Sequence, residues 1–292
     1  MADASVAVTG FDRDTAVREL SRDGDDGRGA GGAIFAADIS PDWRAGRGPH
    51  GGYLAAIILR ALVETVAEPT RAPRSLTIHY ARAPKPGRAT IATTIERAGR
   101  SLSTLSARVE QDGSLVALAL AAFSLPWSAA TELAELPMPD VAPPEPRGEP
   151  GLPLFDGAPP FTRQLVLQPR IGAIPFTGSS EPMEIGAWLG LSEPRAIDAL
   201  SLAFFSDSLF SPPFVRMTTR ATSPTIDLTV HFRGESRTAA AGADADELCF
   251  ARFRTGVVHE GFFEEDGAIW SADGTLLAQS RQLAILMALP IG

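Results

Sequence analysis

The sequence predicts an α+β protein made of two tandem units, each with a long helix packed on an antiparallel sheet. Three observations predict it. The pentapeptide LTIHY at 76–80 returns as LTVHF at 228–232, an offset of 152 (228 − 76). Downstream, Asp112-Gly113-Ser114-Leu115 is matched by Asp273-Gly274-Thr275-Leu276, an offset of 161 (273 − 112). Between the copies, residues 126–182 hold 13 of the 24 prolines, a density that no helix or sheet interior accepts. Two matches in the same order, each leading into a strand-like run, point to duplication rather than chance alternation. The first unit then spans 1–126, a proline-rich linker 127–160, and the second unit 161–292.

Each element has its own signal. Over 51–67, Leu54, Ile57, Ile58, Ala61, Leu62 and Val66 share one stripe, with Arg60, Glu64 and Glu68 opposite, the pattern of an amphipathic helix. Residues 73–83, 88–98, 102–111 and 114–124 alternate or run apolar, with turns at KPG, AGR and QDGS. In the second unit a helix is expected across LSEPRAIDALSLAFFSDSLF, with Ser192 as N-cap and Pro194 in the first turn. Strands follow at 224–233, 247–258, 261–271 and 275–287. The short connections favour antiparallel pairing over crossover units, which need more helices.

Composition narrows the function classes. With 26 basic against 35 acidic residues and a net charge of −9, neither nucleic acid nor an anionic membrane is the expected partner, because both reward clustered positive charge. Lys85 is the single lysine; the arginine bias reads as general composition. The single cysteine, Cys249, excludes an internal disulfide and a cysteine-based zinc site. The opening MADASVAVTGFDRD lacks a basic region followed by an apolar core. The most apolar stretch, 51–66, is interrupted by Arg60 and Glu64 and is too short to span a bilayer. The expectation is a cytoplasmic protein. HExxH, CxxC, Walker-type and GxGxxG patterns in their required contexts are all missing, so no metal or organic cofactor is expected.

One residue breaks the apolar pattern. Ile197, Leu200 and Phe204 form a core-facing stripe, and the next position on it is Asp207. An unpaired buried charge is too costly to persist, so Asp207 needs polar partners or a cavity that admits water. The plainer reading is a carboxylate at a fraying helix end, capping a backbone group before SPPF. Thr225 opens TIDLTVHF, and strict alternation puts it off the apolar face of Ile226, Leu228, Val230 and Phe232. A role beside Asp207 requires a twist or bulge at the strand start, which Pro224 permits without proving. Gln282 aligns with Ala278, Ala284 and Leu286 on a mixed, inward-looking face. Both also read as ordinary polar residues of a strand. The repeat supplies a control: Asp207, Thr225 and Gln282 correspond to Ala55, Pro73 and Ala121 of the first copy. A structural role should be shared by both copies; an asymmetric one points to one site per chain. His50, before the glycines, reads either as a catalytic candidate or, more commonly for a loop histidine near a helix start, as incidental; His79 and His231, at matching repeat positions, read as structural.

Taken together, GPHGGYLAAIILRAL (48–62), FFSDSLF (204–210), SPTIDLTVHF (223–232) and LLAQSRQLAILM (276–287) resemble the TesB-like acyl-CoA thioesterases, a family with a double hot-dog fold. The resemblance covers nearly the whole chain. It implies a thioester hydrolase in which Asp207, Thr225 and Gln282 hold and activate a water, acyl-CoA is the substrate, no cofactor is needed, and the chain self-associates. The family's glycine pair is present as Gly51-Gly52. Amides at this helix start, those of Gly52 and Tyr53, suit an oxyanion; close helix–sheet packing is an equal reason for Gly51 and Gly52. Arg74, Arg82, Arg97 and Arg100 are candidates for coenzyme A phosphates. The proline-rich SLFSPPF departs from the family pattern and bears on channel shape. Two other readings stand beside this one. A hot-dog hydratase or dehydratase needs a His beside an Asp in a DxNPxH-like segment, which is not found. A non-catalytic acyl-CoA-binding protein would use the same polar residues only to line a pocket.

Overall fold

In the computed structural model, which describes residues 8–23, 31–46, 48–147, 158–233 and 246–289, the two copies of the repeated pentapeptide lie side by side. Strand Ala72–Tyr80 pairs antiparallel with Thr225–Phe232, and Thr77 faces Thr229, their hydroxyl oxygens 3.0 Å apart. These two residues are also equivalents in the repeat (77 + 152 = 229), so an approximate two-fold axis passes between them. The strand order obeys it. Moving outward on one side come Ser114–Ser124, Leu102–Gln111, Gly87–Ala98, Gly32–Ile39 and Val17–Arg22. On the other come Leu276–Ile285, Phe262–Trp270, Cys249–Arg254, Glu184–Leu191 and Leu165–Ile171. With Val258–His259 beside Phe262–Trp270 they form one thirteen-stranded antiparallel sheet.

Among the described residues three α-helices accompany it: α1 (Gly10–Asp14), α2 (Gly51–Val66) and α3 (Ala199–Phe205). α2 buries Gly52 through Leu59, then Ala61, Leu62 and Thr65, and packs on both α3 and the sheet. The main apolar core runs through both halves of the sheet.

The second helix corrects the expectation at Ser192. α3 starts six residues later (198 − 192, cap to cap) because Asp198 and Ser201 form a reciprocal capping box, which satisfies the orphan amides of the first turn there. Arg195 ties Asp198 to Asp12, holding the preceding segment outside the helix. The repeat offset sets α2 against residues 203–218 (51 + 152 to 66 + 152), but α3 stops at Phe205 and a 3-10 turn at Pro212–Arg216 follows. Proline in a helix interior removes a hydrogen bond and clashes with the preceding turn, so the second copy keeps only a short α-helix. Asp207 therefore stands in the turn after α3, not on a helical stripe.

Residues 125–147 contain no helix or strand, and 148–157 of the expected linker lie outside the described residues. The described part is a strap. Leu136, Met138 and Val141 pack on Val166, Trp188, Leu248, Phe250, Ala268 and Trp270. The Trp188 indole N–H donates to Ala142 O at 2.8 Å and that of Trp270 to Leu136 O at 3.1 Å. The strap thus covers the outer part of one face of the second half-sheet. On the first half-sheet, Leu118 (43%) and Leu120 (57%) remain exposed. No described helix is long and apolar enough to cross a membrane.

Candidate active site

The N-terminus of α2 and the turn after α3 meet, and Asp207 lies at the junction with its side chain 13% exposed. The Gly52 amide donates to Asp207 Oδ2 at 2.9 Å, so the carboxylate of the second half caps the helix of the first. The positive end of a helix favours this placement. The plainer reading of Asp207, a capping carboxylate, is in part realised, but on a helix 155 residues away in sequence.

Gly51 and Gly52 make the junction possible. A Cβ on Gly52 would lie 2.4 Å from Phe204 O, and one on Gly51 would lie 2.8 Å from Asp207 Oδ2. Close packing and functional placement are here one requirement. Tyr80 Oη closes the turn by donating to Gly51 O at 2.8 Å; desolvation, with the nearby Asp207 charge, pushes its phenol well above the usual range.

His50 is not incidental. It is 4% exposed and forms the N-cap of α2, its Nδ1 accepting from the Tyr53 amide at 3.3 Å. Nδ1 therefore carries no proton, and the Nε2 proton is donated to Asp207 O at 2.7 Å, with Asp207 Oδ2 3.5 Å away. Burial lowers the imidazole below its ordinary range, against a partial opposing pull from Asp207. The ring is a neutral clamp that holds the Asp207 backbone.

Thr225 meets Gln282 because the strand start is irregular. The register slips between Thr225 and Asp227, the bulge that a site role required. Thr225 Oγ1 then donates to Gln282 Oε1 at 2.9 Å. Gln282 is 5% exposed on the inward face that also carries Ala278 and Ala284. Its Nε2 donates to Glu265 Oε1 at 2.6 Å from the facing register position. Glu265 is 2% exposed. Burial, then the charge of Asp207, pushes its carboxyl well above the usual range.

The two amides expected to face an oxyanion are engaged within the protein, that of Gly52 on Asp207 and that of Tyr53 on His50. The Tyr53 side chain belongs to the core: its ring stacks on Trp43 at 5.2 Å and its hydroxyl donates to Asp14 O at 2.7 Å. Sequence reasoning missed Glu265 and the role of His50. A signal for Glu265 existed, since Phe263, Glu265, Gly267 and Ile269 alternate onto one buried face, the same anomaly that drew attention to Asp207. His79 and His231 are exposed beside the central strand pair.

Comparison with known proteins bears on family and fold. A model of the acyl-CoA thioesterase N-terminal domain matches residues 39–124, and one of the acyl-CoA thioesterase C-terminal domain matches residues 134–286. An uncharacterized protein of Mycobacterium tuberculosis is 25% identical over 87% of this chain and 91% of its own length. A solved protein of unknown function with a hot-dog fold from Alicyclobacillus acidocaldarius superposes with a TM-score of 0.79 at 25% identity, covering 97% of this chain and 100% of the other. The acyl-CoA thioesterase II TesB2 of Mycobacterium marinum superposes with a TM-score of 0.70 at 18% identity, covering 97% and 99%. The chain belongs to the acyl-CoA thioesterase family and is a thioesterase of double hot-dog architecture.

Proposed function

We propose that the protein hydrolyses acyl-CoA, with Asp207 as the base that activates water. What supports this reading is a carboxylate anchored at a helix N-terminus, together with a Thr225–Gln282 pair whose partner Glu265 feels the Asp207 charge. The Gly52 amide bonds Oδ2 and the His50 ring bonds the Asp207 backbone oxygen, with Oδ2 its nearer carboxylate atom, which leaves Oδ1 to accept a proton from water. Thr225 has lone pairs to spare after donating to Gln282, and Gln282 has a second N–H after donating to Glu265. Together they orient the water, a contribution of positioning rather than acidity.

Water oxygen attacks the thioester carbonyl carbon while Asp207 takes its proton. The tetrahedral intermediate then collapses with cleavage of the carbon–sulfur bond, and the proton returns to the departing thiolate. The products are a carboxylic acid and free coenzyme A. The N-terminal field of α2 also favours the negative charge developing on the thioester oxygen. In this scheme Gly51, Gly52 and Tyr53 act as the frame that holds the base.

The hydratase alternative draws support from one contact, His50 beside Asp207. Against it, both ring nitrogens of His50 are bonded inside the protein and the ring is buried, so its one proton is already engaged with Asp207 O. A panel of acyl-CoA chain lengths followed with a thiol reagent tests the proposal. Loss of general base catalysis is worth about 10²–10⁴ in rate, so Asp207→Ala should abolish thiol release to that extent. A variant at wild-type rate would remove Asp207 from the mechanism. Tight acyl-CoA binding without turnover would support a binding protein instead.

A further inference from the structure

Glu265 is a buried acid that the proposed mechanism leaves without a task. It faces Gln282 on one side. On the other, one step beyond the Arg254–Asp266 pair of the register, stands Thr255, 7% exposed. Glu265 Oε1 accepts from Gln282, while Glu265 Oε2 and Thr255 Oγ1 are both buried without a hydrogen-bond partner. An ionised carboxylate with one bare oxygen in such surroundings is an uncompensated charge; a neutral acid is not. The charges acting on it, Asp207 from the turn after α3 and Asp266 from its own strand, are both negative. Gln282 and Thr255 on the flanking strands are uncharged.

The terminal amide of a glutamine presents an oxygen at one end and an NH₂ at the other, and only its partners decide which way round it sits. Here the NH₂ end is turned to Glu265 and the oxygen to Thr225. Resting on the hydrolase reading above, we propose that Glu265 is a positioning residue. Held as a neutral acid, it fixes the Gln282 amide so that Oε1 takes the Thr225 hydroxyl and the second N–H is left for the attacking water. Ionisation of Glu265 would set a second negative charge near the one that develops on the thioester oxygen, and the rate would fall.

Two variants separate this role from packing. Glu265→Gln keeps an acceptor for Gln282 and mimics the neutral acid; Glu265→Leu removes the acceptor at similar volume. A lost orientation in a positioned site costs up to about a hundredfold. Glu265→Leu should therefore lower kcat about tenfold to a hundredfold with KM unchanged, and Glu265→Gln should restore most of it. The wild type should lose kcat on the alkaline side, and Glu265→Gln should not. An infrared difference spectrum between wild type and Glu265→Gln at neutral pH should show the carbonyl stretch of a protonated carboxylic acid. Wild-type kcat in Glu265→Leu, an alkaline limb common to wild type and Glu265→Gln, or no protonated-acid band would each overturn the proposal. If Glu265→Leu does not fold, the Glu265→Gln pH profile and the infrared band decide. Full activity in Asp207→Ala would instead sink the hydrolytic mechanism and leave the infrared result to judge Glu265 alone.

Discussion

Replacing Gly52 with alanine tests whether the junction of the two helices sets the position of the base. Neither Gly51 nor Gly52 has a left-handed φ, so an alanine here meets a steric question and not a backbone one. A Cβ at Gly52 would lie 2.4 Å from Phe204 O, whereas ordinary contacts begin at 3.4 Å. The helices must part by about 1 Å (3.4 − 2.4), since a backbone carbonyl cannot swing aside. Phe204 O accepts from the Asp207 amide at 3.3 Å, so the shift reaches the carboxylate directly. A displacement of this size costs about a hundredfold in rate, and the overpacking costs about 1–3 kcal/mol of stability. Gly51→Ala is the control. Its Cβ would lie 2.8 Å from Asp207 Oδ2, the end of a side chain that can rotate away, and alanine is favoured over glycine in a helix by up to about 1 kcal/mol. Thermal denaturation and initial rates of thiol release read the pair. Gly52→Ala should lose both stability and rate; Gly51→Ala should lose rate while its melting temperature holds or rises. Wild-type behaviour of Gly52→Ala in both assays would refute the steric reasoning, and full activity in Gly51→Ala would show that the place of Oδ2 does not matter.

Two further outcomes follow from burial. Glu265 is raised above 4.5 in the folded state, so the folded chain holds a proton that the unfolded chain releases; its contribution is fully present below pH 4.5 and is lost as pH rises toward the folded value. The melting temperature of Glu265→Gln should accordingly equal that of wild type in acid and exceed it increasingly toward neutral and alkaline pH; a difference constant with pH would refute this. The exposed outer face at Leu118 and Leu120, whose repeat counterparts are the polar Gln279 and Arg281 (118 + 161, 120 + 161), is expected to bury itself against a second copy of the chain. Sedimentation should show an oligomer that Leu120→Asp dissociates, and a monomeric wild type would refute it.

Much of this was legible in the sequence, for identifiable reasons. The repeat was readable because LTIHY and LTVHF are the two central strands, whose inward Leu76, Ile78, Leu228 and Val230 are all buried. α2 was readable because it is long and its stripe is continuous. α3 was not, because its start is set by a local competition that Asp198 and Ser201 win over Ser192, and its end by a turn that periodicity does not register. The site was readable where a polar residue interrupts an apolar pattern, as at Asp207. Thr225 defied alternation, and only the bulge beside it restores its direction. His50 was undervalued since its role depends on a backbone carbonyl from the other copy, a contact that no local pattern encodes.

The approximate two-fold axis raises the question of a second site. Its counterpart would be built from Ala55, Pro73 and Ala121. The backbone device is duplicated: the register slips between Pro73 and Ser75 as it does between Thr225 and Asp227. The side chains are not. Ala55 is 0% and Ala121 3% exposed, Pro73 is buried and offers no hydroxyl, and α2 continues unbroken where the second copy turns away after Phe205. A location packed with small apolar groups has neither a base nor a hydrogen bond for water. Duplication thus fixed the sheet, and divergence of the helices left one cluster per chain, made from a carboxylate of one copy and a glycine turn of the other. Calorimetric titration with an acyl-CoA thioether, which has no cleavable thioester, should saturate at one molecule per chain in the wild type and in Gln282→Ala alike. Two equivalent molecules per chain would mean that the first copy retains a site of its own, and the asymmetry of Asp207, Thr225 and Gln282 would then lose its functional meaning.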